Sequence, residues 1–159
     1  FEQGKIFLPQ LIQTASVAQA AFEVIKTTLI ERNAAPVSRG EIVLATVKGD
    51  IHDIGKNIVR VLLENYGYTV LDLGRDVPCQ LVADTAKEHG VKLVGLSALM
   101  TTTLGAMEET IQLVKASCPD CKIVVGGAVL TADYAEKIGA DYYAKDAMET
   151  VAVAKEVVG

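Results

Sequence analysis

The spacing of apolar residues changes near residue 40, and this change predicts two parts of the chain. Up to about residue 32, apolar residues recur every three or four positions, which predicts one amphipathic helix beginning near Pro9. Such a helix must pack on the following domain, on further helices or on a partner. Residues 33–40, rich in Ala, Pro, Ser and Gly, predict a linker. We therefore divide the chain into residues 1–36, a helix with its linker, and residues 37–159.

Short apolar runs alternate with longer amphipathic stretches in the second part. The runs are 42–47, 69–73, 93–96, 123–125 and a weak 141–143, and the helical stretches are 55–65, 79–88, 104–117, 132–138 and 147–158. Continuously apolar strands between helices indicate a parallel sheet covered on both faces. Five such units with right-handed crossovers give a doubly wound α/β domain, a flavodoxin-like five-stranded parallel sheet of order 2-1-3-4-5.

Composition and charge narrow the possible partners. The chain has 159 residues, half of them hydrophobic, with a net charge of −5 and no basic run. This charge argues against nucleic acid or an anionic membrane as the main partner. No apolar segment approaches the roughly 20 residues that span a bilayer, so we expect a cytoplasmic protein.

The cysteines give little indication of chemistry. Three cysteines are an odd number, and a disulfide framework is not expected. Cys118 and Cys121 have the spacing of redox and zinc sites, but Pro-Asp between them predicts a plain turn before a strand. Cys79 is expected to be a small buried apolar residue.

The predicted strand order places a ligand crevice between strands 1 and 3. The chain leaves these neighbouring strands in opposite directions, so their carboxyl ends border the default ligand site. The loops that open there are 48–55 and 97–103, and strand 4 ends at the same edge in Gly126 and Gly127. We expect the ligand at this edge.

The first of these loops contains His52 within the sequence KGDIHDIGKN at residues 48–57. A metal-ligating imidazole usually donates its second N–H to a carboxylate, and Asp50 is near enough in sequence to accept it. A hydroxyl from the facing loop, Thr103 or Ser97, could then hydrogen-bond Asp50. Alternatively, Asp50 and Asp53 cap the next helix while His52 is solvated.

Other catalytic arrangements fit this crevice less well. No Gly-x-Ser-x-Gly sequence precedes a helix, which argues against a hydrolase triad. The crevice offers one histidine and no cysteine at ligand spacing, which argues against a conventional zinc site. A single protein ligand is adequate where a macrocycle already holds the metal, and we predict His52 as that ligand.

Three segments are distinctive: GDIHDIGKNIV at residues 49–59, GLSALMTTT at 95–103 and VGGA at 125–128. In that order they resemble the Asp-x-His-x-x-Gly signature, the second signature and the third signature of cobalamin-binding domains of the methyltransferase type. FLPQ at residues 7–10 resembles the start of the last helix of the four-helix cap that precedes this domain in methionine synthase and in small corrinoid proteins.

The resemblance implies how a corrinoid would bind. The lower base leaves the cobalt, the nucleotide tail enters the crevice, and His52 becomes the lower axial ligand, with Asp50 and Thr103 as a relay. Methionine synthase has serine at the position of Thr103. Phe7 would cover the upper face, although ordinary helix packing would also explain it. The implied cofactor-binding residues are Phe7, Gly49, Asp50, Ile51, His52, Asp53, Gly55, Ser97, Thr101, Thr103, Gly126, Gly127 and Ala147.

The implied function is that of a corrinoid methyl carrier rather than a complete enzyme. It would shuttle a methyl group between methyltransferase proteins that bind the donor and the acceptor. Alternatives are a cobalamin-binding fragment of methionine synthase, an adenosylcobalamin mutase subunit, and a cobalamin-dependent sensor or regulator. A cofactor-free domain like the receivers of two-component systems is a further alternative, although its usual acidic cluster is lacking after strand 1.

Overall fold

The computed structural model describes residues 38–159, so the first predicted helix, Phe7 and the predicted boundary after residue 36 lie outside the described residues. The strands are β1 (Glu41–Thr46), β2 (Thr69–Asp72), β3 (Leu93–Ser97), β4 (Lys122–Gly126) and β5 (Tyr142–Tyr143). The helices are α1 (Ile54–Asn65), α2 (Cys79–His89), α3 (Leu104–Ser117), α4 (Ala132–Lys137) and α5 (Ala147–Val157), with a 3₁₀ turn at Thr101–Thr103.

The five strands form one parallel sheet of order β2-β1-β3-β4-β5. This confirms the predicted doubly wound fold and strand order. Within residues 38–159, each predicted element bound lies within one residue of the observed bound, and the 3₁₀ turn was not predicted. In the central register, Thr46 at the end of β1 pairs with Ser97 at the end of β3, so the loops that follow start side by side.

Successive side chains of each strand point to opposite faces of the sheet and enter two separate apolar layers. Val43 and Val94 pack with α2, α3 and α4 on one face. Leu44 and Val124 pack on the other, with Leu63 of α1 and with residues of α5. Because both faces are covered, the strands read as continuous apolar runs.

Helix ends are set by local sequence. Gly90 ends α2 in the left-handed conformation, with φ 59°. Asp146 precedes α5 and accepts the Glu149 backbone N–H at 2.9 Å, which caps the helix. This cap fixes the start of α5 at the carboxyl edge of the sheet, where Ala147 was predicted to lie.

The cysteines behave as the sequence indicates. The Cys121 backbone N–H donates to the Cys118 carbonyl at 3.0 Å, which confirms the turn, and the cysteines at 79, 118 and 121 are free thiols. Burial, reinforced by the neighbouring Cys118 and Asp141, raises the pKa of the Cys121 thiol to about 12. A thiol in that state is a poor nucleophile.

No helix among residues 38–159 is long and apolar enough to cross a membrane.

Candidate functional site: a corrinoid crevice

The loops after β1 and β3 meet through Asp50, which is completely buried. Its Oδ1 accepts the His52 backbone N–H at 3.0 Å and lies 2.8 Å from His52 Nδ1. The imidazole itself remains 44% exposed. The carboxylate therefore holds one side of the ring while the rest of the ring faces outward.

The second carboxylate oxygen is held by the loop after β3. Asp50 Oδ2 accepts the backbone N–H groups of Leu99 at 2.7 Å and Met100 at 3.2 Å, and Thr103 Oγ1 lies 3.1 Å away. Of the two predicted hydroxyls, Thr103 is the one within hydrogen-bond distance. The Met100 carbonyl also lies 2.8 Å from Oγ1, and because the hydroxyl has one proton it can donate to only one of these two acceptors at a time.

These contacts decide the charge of Asp50 and the tautomer of His52. Burial raises the pKa of Asp50, but the backbone N–H groups of His52, Leu99 and Met100 and the His52 side chain outweigh it and hold that pKa far below its usual range. An ionised carboxylate only accepts hydrogen bonds, so neutral His52 carries its proton on Nδ1. The lone pair on Nε2 is then free to bind a metal.

The alternative reading, in which the aspartates cap the next helix, is wrong. Asp53 occupies the position before α1 but makes no side-chain capping bond. Instead, Asp50 Oδ1 contacts the His52 ring, and Asp50 Oδ2 accepts a hydrogen bond from the facing loop. The loop is therefore built around the carboxylate and the imidazole.

A cavity of about 490 Å³ opens beside this loop, on the sheet face covered by α1 and α5. Its floor is formed by Leu44, Gly95 and Val124 from the three central strands. Five of the predicted cofactor-binding residues lie in its wall: Gly55, Ser97, Gly126, Gly127 and Ala147. The lining is mostly apolar, as expected for a pocket that encloses an organic group.

The paired glycines after β4 are required by space. Gly127 has φ +139°, and a Cβ there would lie 1.8 Å from the Ala98 carbonyl oxygen. A Cβ on Gly126 would lie 3.1 Å from the Ala144 carbonyl oxygen. The loops after β3 and β4 therefore approach each other at backbone distance at the cavity edge.

The remaining predicted residues lie apart from the cavity wall. Gly49 has φ +84° in the turn before Asp50, and Ile51 is 60% exposed beside His52. Asp53 is half-buried at the start of α1. Thr101 is exposed in the 3₁₀ turn and does not line the cavity.

Several lining residues were missed by the sequence reasoning, among them Gly95, Lys56, Tyr143, Lys145 and Thr150. Gly95 had a detectable signal, because a glycine inside a strand marks close approach, and its Cβ would lie 2.5 Å from Leu44 Cδ2. No sequence signal marked Lys56, because a buried lysine is rare and no sequence pattern predicts one. The positions of Tyr143, Lys145 and Thr150 depend on where β5 ends.

The donor set fits a metal that brings its own ligands. Among residues 38–159, no three His, Cys, Asp or Glu side chains come together in a way that could hold a metal ion. The site instead offers one imidazole nitrogen, a mostly apolar cavity and the exposed side chains of Ile51, Ile54 and Leu99 on the surrounding loops and α1. Such a site suits a metal held in a large apolar macrocycle with an appended tail.

Comparison with known proteins gives the family of this chain. Residues 40–152 match the B12 binding domain family. The chain belongs to this family. Its cofactor class is therefore a corrinoid, as the resemblance implied, and the cofactor-free receiver-like alternative is wrong.

Relatives of this B12 binding domain include named corrinoid proteins. Dimethylamine corrinoid protein 1 of Methanosarcina acetivorans is 45% identical over 160 residues, which cover 99% of this chain and 75% of the relative. The methanol:cobalamin methyltransferase complex MtaBC from Methanosarcina barkeri has a TM-score of 0.84 at 32% identity, covering 99% of this chain and 60% of that chain. The Methanosarcina barkeri monomethylamine corrinoid protein has a TM-score of 0.71 at 36% identity, covering 99% and 74%.

Proposed function

We propose that this protein is a corrinoid methyl carrier in which His52 is the lower axial ligand. The observation that carries the proposal is the fully buried, ionised Asp50 at 2.8 Å from His52 Nδ1. This contact leaves Nε2 as the free nitrogen on an outward-facing ring. A bound corrinoid supplies the cobalt that accepts and releases the methyl group.

The chain contributes a ligand whose binding is coupled to a proton. Asp50 favours the Nδ1–H tautomer, and the amides of Leu99 and Met100 keep the carboxylate ionised. A proton taken up at Nε2 occupies the lone pair and ends ligation. The protonation state of the Asp50–His52 pair would therefore determine whether His52 can hold the cobalt of a bound corrinoid.

The cavity beside the loop is proposed to hold the nucleotide tail with the lower base away from the cobalt. Its mostly apolar wall suits an aromatic base, and Gly126 and Gly127 leave backbone-level space at its edge. Ser97 and Lys56 are polar residues in that wall. The Lys56 ammonium group already donates to Asp72, which holds it in the wall.

The partners are proposed to be two methyltransferases, one binding the methyl donor and one the acceptor. Support comes from the relatives, because one is named as part of a methanol:cobalamin methyltransferase complex and two as methylamine corrinoid proteins. We infer that the methyl donor is a methylated amine, because the relative with 45% identity is named as a dimethylamine corrinoid protein.

The first prediction is that His52→Ala changes the visible spectrum of the protein reconstituted with methylcobalamin. Loss of the imidazole removes the axial nitrogen, so the spectrum should shift to that of base-off cofactor without a nitrogen ligand. Affinity should fall by at least about 10-fold, because losing even a residue that only supports a metal ligand costs about 10- to 100-fold. Equilibrium titration followed by absorbance measures both effects.

His89→Ala is the matched control, because His89 is the second histidine of the chain and pairs with Glu41 at the opposite edge of the sheet. It should keep the spectrum of the unsubstituted protein. An unchanged spectrum in His52→Ala would show that His52 is not the ligand.

A further inference from the structure

A third loop, residues 73–78 between β2 and α2, lies against the His52 loop. The Gly49 backbone N–H donates to Asp76 Oδ1 at 2.7 Å. In the opposite direction, the Asp76 backbone N–H donates to the Asp50 carbonyl at 2.9 Å. One residue of the third loop therefore binds both residues that precede Ile51 and His52.

Asp76 makes these contacts from an uncommon backbone conformation. Its φ is +52°, and among residues 38–159 it is the one non-glycine residue with positive φ. Aspartate tolerates this left-handed region better than most residues, but the region is still unfavourable for a residue with a Cβ. Strained backbone of this kind persists where surrounding contacts enforce it, and it concentrates at functional sites.

Both hydrogen bonds are made in this conformation. The Asp76 N–H donates to the Asp50 carbonyl, while the Asp76 carboxylate accepts the Gly49 N–H. Gly49 itself has φ +84° and as a glycine has little conformational restriction of its own. Asp50 is thus held by its side chain from the loop after β3 and by its backbone from the loop after β2.

We propose that Asp76 is a positioning residue for the axial ligand, acting through the backbone of Gly49 and Asp50. Its carboxylate fixes the turn from which Asp50 and His52 project, and so keeps the imidazole oriented towards the corrinoid. This inference rests on the proposed ligation by His52. Among the described residues, the loop 73–78 makes no hydrogen bond to the imidazole or to the carboxylate of Asp50, so Asp76 acts on both through the backbone.

The test compares three substitutions at Asp76 in the intact chain. Asp76→Asn keeps a side-chain acceptor and tolerance of positive φ, Asp76→Gly keeps only the tolerance, and Asp76→Ala keeps neither. We expect hydroxocobalamin to bind about 10-fold more weakly to the Gly and Ala variants and with near-normal affinity to the Asn variant. Arg75→Ala, an exposed neighbour, is the control.

The spectrum of the bound cofactor and amide exchange give readouts that a general loss of stability would not give. The Gly and Ala variants should show a larger fraction without an axial nitrogen. In the cofactor-free protein, the Gly49 amide should exchange faster, while the amides of β1 stay protected. In a His52→Ala background, the same Asp76 substitutions should change affinity by less than about twofold.

Each other outcome overturns the inference. If Asp76→Gly behaves like the unsubstituted protein, the carboxylate is not needed. If the Asp76 substitutions weaken binding equally with and without His52, Asp76 does not act through the ligand. If His52→Ala itself leaves the spectrum unchanged, the proposed ligation fails and the role of Asp76 fails with it, and this outcome is recognised without any Asp76 variant.

Discussion

Gly127 is the glycine of the crevice at which an added Cβ would have the least room. Its φ of +139° lies where residues with a Cβ are strained, and the Ala98 carbonyl occupies the space that a methyl group would need. The contact is between backbone atoms, which cannot rotate away as a side chain can. A single added carbon must therefore displace one of the two loops.

The second prediction follows from that contact. Gly127→Ala should lower the free energy of unfolding by at least about 3 kcal/mol and weaken corrinoid binding, because strain and overlap add. Denaturant unfolding and a cofactor titration measure the two effects.

Gly105→Ala is the control for this substitution. Gly105 is exposed near the start of α3, with nothing within 4 Å of its added Cβ. Alanine is the better helix former, so this variant should gain about 0.5 kcal/mol. Equal losses in both variants would show that Gly127 is not a special position.

At the level of elements, an ion pair joins the start of α1 to the end of β2. Lys56 is 3% exposed, and its Nζ donates to Asp72 Oδ1, while Arg60 lies 3.8 Å from Oδ2. Burial raises the pKa of Asp72, but Lys56, the Gly74 N–H and Arg60 together lower it. The helix that follows the His52 loop is thereby tied to the sheet by charge as well as by apolar packing.

The third prediction concerns acid. Because the pKa of Asp72 is lower in the folded state, its stabilising effect is complete above the unfolded pKa of about 3.9 and is lost as the pH falls through the folded value. The unsubstituted protein should therefore lose stability more steeply below about pH 4 than Asp72→Asn does. Urea unfolding at a series of pH values measures this difference.

Asp120→Asn serves as the control for the acid series. Asp120 is exposed in the turn before β4 and has no ion pair within residues 38–159. This variant should follow the unsubstituted protein. Parallel curves for Asp72→Asn and the unsubstituted protein would contradict the proposed contribution of the ion pair.

For the whole molecule, the cavity and the loops couple cofactor binding to stability. Ligand that binds only the folded chain adds RT ln(1 + [L]/Kd), or about 2.7 kcal/mol at 100 times Kd. For a chain of this size we expect hydroxocobalamin at that excess to raise the Tm by roughly 5–10 °C. Thermal unfolding followed by circular dichroism measures the shift.

The same scan compares His52→Ala at one fixed cofactor concentration. Weaker binding reduces [L]/Kd, so the rise in Tm should be smaller for this variant. A Tm that does not respond to cofactor in the unsubstituted protein would contradict a site in the folded domain.

The strand order could be predicted because continuous apolar runs require a parallel sheet and right-handed crossovers leave few arrangements. That order by itself predicts that the loops with Asp50 and Thr103 lie together, and the pairing of Thr46 with Ser97 confirms it. The hydroxyl could not be chosen in advance, because Ser97 and Thr103 belong to the same loop. Only the 3₁₀ turn places Thr103 Oγ1 at 3.1 Å from Asp50.

The sequence by itself determined the parallel sheet, the edge where its loops meet and the histidine and glycines at that edge, since these follow from apolar periodicity and residue type. The tertiary structure alone decided which groups meet across loops. Asp76 lies 27 residues from Gly49 and Lys56 lies 16 from Asp72, and no local pattern links such pairs. Their distances are fixed by how the strands pair and how α1 packs, because hydrogen bonds and ion pairs depend on position in space.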